Sequence, residues 1–288
     1  LSSQDIYPSS ITNIFPHIIF GMTKLINSLQ NPLVKNILLL QEKPRERKQQ
    51  NLIVIEGFRE IRLAISAGYT LQALLFCPDF ITDNELSQLT SQSYSSFESV
   101  EINPEVFNKL AYRKETGGVL ALATPRKIHF RDIPPRPKPL VLVLETVEKP
   151  GNLGAMLRTA DAANMDAVVI CDPQTDIFNP NAIRASIGCI FTMPVVISSN
   201  QETLQWLRNN RIKMFATALT AHRFYHETDF RSPSAFIMGS EAYGLSDYWL
   251  DEADELIKIP MMGKIDSMNV SACAAVVIYE AMRQRNFR

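Results

Sequence analysis

At 288 residues the chain is long enough for two domains with cores of their own, and its 46% apolar and 20% charged content is that of an ordinary globular protein. No run approaches eighteen consecutive apolar residues, which excludes a membrane-spanning helix, and a formal net charge of −1 excludes a uniformly basic nucleic-acid binder. Four scattered cysteines without a CxxC pair point to reduced thiols in an intracellular protein rather than to a disulfide framework. Residues 1–21 lack a basic n-region, and Asn13, Pro16 and His17 interrupt their apolar run, so they do not read as a signal peptide. Met22 opens a more regular sequence, and residues 1–21 are read as a disordered leader. Apolar runs at 52–55, 71–76 and 119–123 then predict buried strands. A helix is expected over "EGFREIRLAISAG", closed by Gly68 at its C-terminal cap. Residues 22–124 therefore read as a small α/β domain.

The stretch "RDIPPRPKP" at 131–139 holds four prolines in nine residues, which continue neither a helix nor a central strand and favour an extended spacer. Residues 125–139 are read as a linker. Beyond it, from residue 140 to 288, strands and helices alternate. Strands are expected at "PLVLVLETV", "AVVICD", "MPVVIS", "KMFATAL", "SAFIMGS" and "ELIKIPM". Helices are expected at "LGAMLRTADAAN", at "NPNAIRASIG" with Asn179 or Asn181 as cap, at "ETLQWLRNN", and from about Ser271 to Arg285. Continuous apolar strands in that alternation predict a parallel sheet covered on both faces.

Charge is not shared evenly. Residues 22–139 carry 16 Lys and Arg against 12 Asp and Glu, a balance of +4; residues 140–288 carry 13 against 17, a balance of −4. The basic excess sits in "KPRERK" (43–48), "AYRKETGG" (111–118) and "RKIHFRDIPPRPK" (126–138). A phosphate backbone selects such patches, and solvated surface charge produces them too.

Three loops follow predicted strands, at the edge where open α/β sheets bind ligands. In "EKPGNLGAMLRTADA", Gly151 and Gly154 permit a tight turn and close backbone approach, with Asn152 and Arg158 nearby. Its GxxG spacing is not the GxGxxG of a dinucleotide fold, which argues against a dehydrogenase. In "IMGSEAYGL", a buried strand stops at Gly239 and is followed by Glu241. In "IPMMGKIDSMNVS", a helix start offers free N–H groups. Ser271 suffices as its cap, so Ser267 and Asn269 are left over and suggest ligand contact. His222 and His226 stand at i, i+4 as in a helical metal site, but no third ligand lies near them in sequence, and no metal is expected.

Together, "NLGAMLRTADA", "IMGSEAYGL" and "IPMMGKIDSMNVSACAAVVIYEAM" resemble the three motifs of the SpoU (TrmH-type) RNA ribose 2′-O-methyltransferases of the SPOUT superfamily, in order and separation. "NPNAIRASIGCIFTMPV" resembles the family's intermediate segment. "RERKQQNLIVIEG" and "KETGGVLAL" resemble its ribosomal-protein-like substrate-binding domain. The resemblance implies a C-terminal parallel-sheet SPOUT domain tied in a trefoil knot, an S-adenosylmethionine cofactor, a ribosomal or transfer RNA partner, ribosomal RNA being favoured, and a homodimer formed through the C-terminal domain in the cytoplasm. By family position Gly239, Ile259, Met268 and Ser271 bind the cofactor, and Asn152, Arg158, Glu241 and Asn269 form the catalytic surface across the dimer interface. Arg158 is read as a phosphate anchor that also stabilises a developing alkoxide, because a guanidinium is a poor base. Three positions depart from the pattern: Met268 where leucine is common, Ser240 where Asn or Ala is usual, and Lys149 where an acid is frequent. The competing reading is a non-catalytic RNA-binding protein built on the same scaffold.

Overall fold

The computed structural model describes residues 24–92, 96–112 and 117–287. The leader 1–21 and residues 113–116 of the "AYRKETGG" stretch lie outside the described residues.

The N-terminal part runs β1 (Lys24–Ile26), α1 (Pro32–Glu42), α2 (Pro44–Gln50), β2 (Ile53–Glu56), α3 (Phe58–Ser66), β3 (Leu71–Phe76), α4 (Asp83–Gln92), β4 (Glu98–Ile102), α5 (Pro104–Leu110) and β5 (Val119–Ala123). Its sheet has the order β1-β4-β3-β5-β2, with β1, β4 and β3 parallel and β5 antiparallel to both β3 and β2. Pro at the first turn with an Asn cap starts α1 and α5, Asn31 accepting from Leu33 N and Asn103 from Val106 N. Helix α3 ends where Gly68 takes φ +76°, as its sequence implied.

The C-terminal part runs β6 (Leu140–Glu145), α6 (Pro150–Ala162), β7 (Ala167–Cys171), α7 (Pro180–Ala185), α8 (Cys189–Thr192), β8 (Val195–Ser198), α9 (Asn200–Asn209), β9 (Lys213–Thr217), β10 (Arg223–Phe224), β11 (Ser234–Met238), α10 (Asp247–Glu252), β12 (Glu255–Lys258) and α11 (Val270–Gln284). All seven strands are parallel, in the order β10-β12-β9-β11-β6-β7-β8. Alternate residues of β6 go to opposite layers. Leu140, Leu142 and Leu144 pack among Leu153, Met156 and Leu157 of α6 and Val277 and Ile278 of α11. Val141 and Val143 pack with Leu204 and Leu207 of α9 and Trp249 of α10. Each such aliphatic side chain contributes about 1.5–3 kcal/mol on leaving water. Because α10 and α11 lie on opposite faces, residues 259–269 carry the chain from one face to the other past the carboxyl ends of β9 and β11.

Two expectations change. The prolines at 134, 135, 137 and 139 do not give a free spacer along the whole linker. Ile128 bridges Val196 of the edge strand β8, and Phe130 stacks on Trp206 at 4.7 Å. Within "KPRERK", Arg47 is not surface charge: it is 3% exposed, donates to Leu40 O, and pairs with Asp176 of the C-terminal part at 2.5 Å. The apolar cluster behind it also spans both sheets, with Tyr69 edge-on to Phe191 at 5.0 Å. Residues 222–226 are not helical; they are a bend, the short strand β10 and a 3-10 turn, so the two histidines do not share a helix face.

Candidate active site

In this sheet the strand order reverses beside β6: the chain steps outward through β7 and β8, then returns to place β9 and β11 on the other side. The crevice at such a reversal, outside the carboxyl ends of the strands, is where open α/β sheets bind small molecules. Here the three loops converge. The second and third wall a cleft of about 700 Å³, a volume suited to a cofactor, and the first is tied to them through Lys149 and Asn152. Its lining includes Thr217, Met238, Gly239, Glu241, Leu245 and Ile259, with Met268 and Asn269 from the third loop.

The loop after β11 is pinched shut. Ser240 N donates to Gly244 O at 2.9 Å and Gly244 N returns the bond to Ser240 O at 3.1 Å. Gly239 is required by this closure, since a Cβ there would lie 2.1 Å from the Gly244 carbonyl carbon. The far end of the loop is anchored by Glu145, 3% exposed at the end of β6, which accepts from Ser246 N at 2.8 Å, Ser246 Oγ at 2.6 Å and Asn200 Nδ2 at 2.8 Å. Asn200 in turn accepts from Trp249 Nε1 at 2.8 Å. Three donors satisfy the buried carboxylate, and in exchange it fixes the loop on the sheet. Sequence reasoning passed over Glu145; its one signal was an acid at the end of an otherwise apolar strand.

Helix α6 begins at Pro150 in the neighbouring loop, and Gly154 lets it press against α7, where an added Cβ would meet Ala185 Cβ at 2.4 Å. Gly151 has no such reason: nothing lies within 4 Å of a Cβ at that position. Lys149, just ahead of the helix, donates to Glu241, which ties the first loop to the second. That hydrogen bond, and the carboxylate charge behind it, raise the Lys149 ammonium above its ordinary pKa.

The third loop corrects the expected cap. Asn269, not Ser271, caps α11: its Oδ1 accepts from Ser271 N at 2.9 Å, and Ser271 Oγ donates to the same oxygen at 2.6 Å. The amide nitrogen of Asn269 is left to donate to Asn152 Oδ1 at 3.2 Å, while the buried Asn152 Nδ2 has no partner. Asn269 thus spends its oxygen on the helix and turns its nitrogen toward Asn152. Ser271, bound to that cap, is not among the residues lining the cleft. Ser267 does line it and donates to Asp266 at 3.1 Å.

Of the other expected cofactor residues, Gly239, Ile259 and Met268 all line the cleft, and so do Glu241 and Asn269 from the catalytic set. Asn152 stands beside them through Asn269. Arg158 does not: it lies six residues further along α6, about 9 Å by helical rise. It is exposed, and among the described residues it has neither ion pair nor hydrogen bond. Residues 259–268 make no backbone-to-backbone hydrogen bond among the described residues, although several of them line the cleft. Free N–H and C=O groups along such a wall are what a polar ligand held by main chain requires. No group of three or more His, Cys, Asp or Glu is arranged to hold a metal among the described residues.

The SpoU rRNA Methylase family matches residues 139–279, and an MRM3-like substrate binding domain matches residues 31–121. An uncharacterized tRNA/rRNA methyltransferase of Synechocystis is 32% identical, over 90% of this chain and 94% of that protein. A 23S rRNA guanosine 2′-O-methyltransferase of Bacillus subtilis is 30% identical, over 89% of this chain and 98% of its own. Among solved structures, an AdoMet-bound rRNA methyltransferase from Sinorhizobium meliloti superposes with a TM-score of 0.83 at 28% identity, over 91% of this chain and 98% of that one.

Proposed function

The chain belongs to the SpoU rRNA Methylase family, and from that premise we propose that it methylates a ribose 2′-hydroxyl of ribosomal RNA with S-adenosylmethionine as donor. The observation that carries the reading is the grouping of Asn152, Glu241 and Asn269 at a cleft lined by Ile259, Met261 and residues 266–268, which make no backbone-to-backbone hydrogen bond among the described residues. Relatives with 2′-O-methyltransferase names, and structures of relatives bound to AdoMet, support it.

The donor supplies an electrophilic methyl on a sulfonium, so the transfer itself needs no metal. The chain must then hold the donor, orient one hydroxyl and assist loss of its proton. Gly239, Ile259 and Met268 hold the donor, largely through main chain. Asn269 and Asn152 orient the ribose, with the unpartnered Asn152 Nδ2 as a spare donor toward it. Arg158 lies outside its own cleft, and we read it as serving the cleft of a second copy in a homodimer formed through the C-terminal part. There it grips a phosphate and stabilises the forming alkoxide. Residues 259–269, which cross the sheet's carboxyl edge, are read as the threaded segment of a trefoil knot. Residues 22–124 grip the RNA through their exposed basic side chains, residues 125–139 join them to the methyltransferase part at 140–288, and the reaction takes place in the cytoplasm.

Calorimetric titration tests the reading. Saturable binding of S-adenosylmethionine or its demethylated product, in metal-free buffer, is the expected result. Binding of NAD with no heat from either of those ligands overturns it.

A further inference from the structure

The pinched loop between Gly239 and Ser246 presents an aromatic ring that folding does not use. Tyr243 is 89% exposed, so its ring adds almost nothing to the core. Its backbone, by contrast, is fixed. Tyr243 N donates to Ser240 Oγ at 3.1 Å, and Ser240 and Gly244 exchange two backbone bonds on either side of it. Glu241 is tied to Lys149, and Ser246 to buried Glu145. An exposed ring on a preorganised backbone costs little ordering entropy when something stacks on it. The ring stands on the rim of the cleft that Gly239, Ile259 and Met268 line, and the exposed ammonium of Lys149 bonds to the next-but-one residue of the same loop. An exposed aromatic face on a held backbone at a cleft rim matches a nucleotide base, which stacks on it.

We propose that Tyr243 is the stacking surface for an unpaired RNA base at the methylation site. This rests on the reading that the cleft holds a methyl donor and admits RNA. A nucleotide drawn into a recessed cleft leaves its neighbours in the strand, and an aromatic side chain at the rim replaces the stacking it loses. Tyr243 acts on substrate selection, not on the methyl donor.

The experiment uses the full chain and, as probe, ribosomal RNA isolated from cells lacking this protein. Tyr243→Ala and Tyr243→Leu are expected to lower kcat/KM for RNA methylation on the order of ten- to a hundredfold, and Tyr243→Phe to restore it to within about threefold of the parent. Affinity for S-adenosylmethionine and the sedimentation coefficient stay as in the parent. In Tyr243→Trp, the added indole emission is quenched by the RNA even without the methyl donor. Leucine as effective as phenylalanine, loss of self-association in Tyr243→Ala (a ring that packs on a second copy), or an added emission that bound RNA leaves unchanged each overturns the proposal. A parent chain that binds the RNA but not S-adenosylmethionine refutes the methyl-transfer reading instead, and the emission test of the ring still decides the stacking.

Discussion

Gly239→Ala separates a cleft built by backbone closure from one that merely contains a glycine. A Cβ at 239 would lie 2.1 Å from Gly244 C, 2.2 Å from Gly244 O and 2.3 Å from Leu245 N. These are main-chain atoms, so no rotamer change relieves the contact, and ordinary carbon contacts start near about 3.5 Å. The loop must retreat by about 1 Å or more, yet it is held by the two Ser240–Gly244 bonds and by Glu145 on Ser246. Losing two backbone bonds costs roughly 0.5–1.5 kcal/mol each, and overpacking adds about 1–3 kcal/mol, for a total of about 2–6 kcal/mol. The melting temperature is expected to fall by about 5–15 °C. Donor affinity in calorimetry should fall at least about tenfold, because Gly239 and Leu245 both line the cleft. Gly151→Ala is the control: it lies in α6 with no atom within 4 Å of its Cβ and should be neutral or gain up to about 1 kcal/mol. Unchanged melting and unchanged donor affinity in Gly239→Ala would refute the closure argument.

Arg158→Ala should nearly abolish RNA methylation while donor affinity stays within about threefold, and Arg158→Lys should rescue poorly because an ammonium lacks the guanidinium fork; near-normal methylation by the alanine variant contradicts its role. Replacing Lys43, Arg45 and Lys48 together by glutamine should weaken RNA binding and flatten its dependence on salt by about two units of log–log slope. Arg47→Gln should instead lower the melting temperature, since it strips Asp176 and Leu40 O of their buried partner; the reverse pattern would refute the division of these four cations. Burial pushes the Cys171 and Cys189 thiols up to about 12 and about 11. In the unfolded chain they ionise near about 8.5, so their contribution is complete below that pH and is lost as pH rises toward 11. Urea midpoints should fall between pH 8.5 and 10.5, and a Cys171→Ala, Cys189→Ala double variant should show the shallower decline. Parallel declines would contradict this assignment.

Periodicity reported the central elements well because those strands are buried on both faces: 71–76 and 119–123 are strands over the very residues expected, and α11 begins one residue from its expected start. The cap of α11 was misread because Asn269 and Ser271 have equal cap chemistry, and only their geometry shows that Ser271 bonds to Asn269. Arg47 was counted as surface charge because composition does not report the direction of a side chain, and its partner Asp176 is 129 positions away. The linker prolines were read correctly as breakers of regular structure, but the apolar Ile128 and Phe130 just before them dock on β8 and α9. The i, i+4 spacing of His222 and His226 has meaning only on a helix, and Phe224 between them pairs as strand with β12. The loops' motif residues were legible as a set in the sequence; that Arg158 stands apart from the cleft was not, since its place in α6 does not report how far its side chain lies from the loops.

The central claim is that the methyl group goes to a ribose 2′-oxygen. A 2′-O-methyl group blocks alkaline cleavage of the phosphodiester on its 3′ side, because the attacking hydroxyl is gone. The decisive measurement incubates the full chain with methyl-labelled S-adenosylmethionine and ribosomal RNA from cells lacking the protein, then digests the RNA with alkali. The account predicts that the label is recovered in an alkali-resistant dinucleotide, and that Arg158→Ala removes it. Label recovered in mononucleotides, as base methylation would give, or no transfer by a chain that binds the donor, contradicts it.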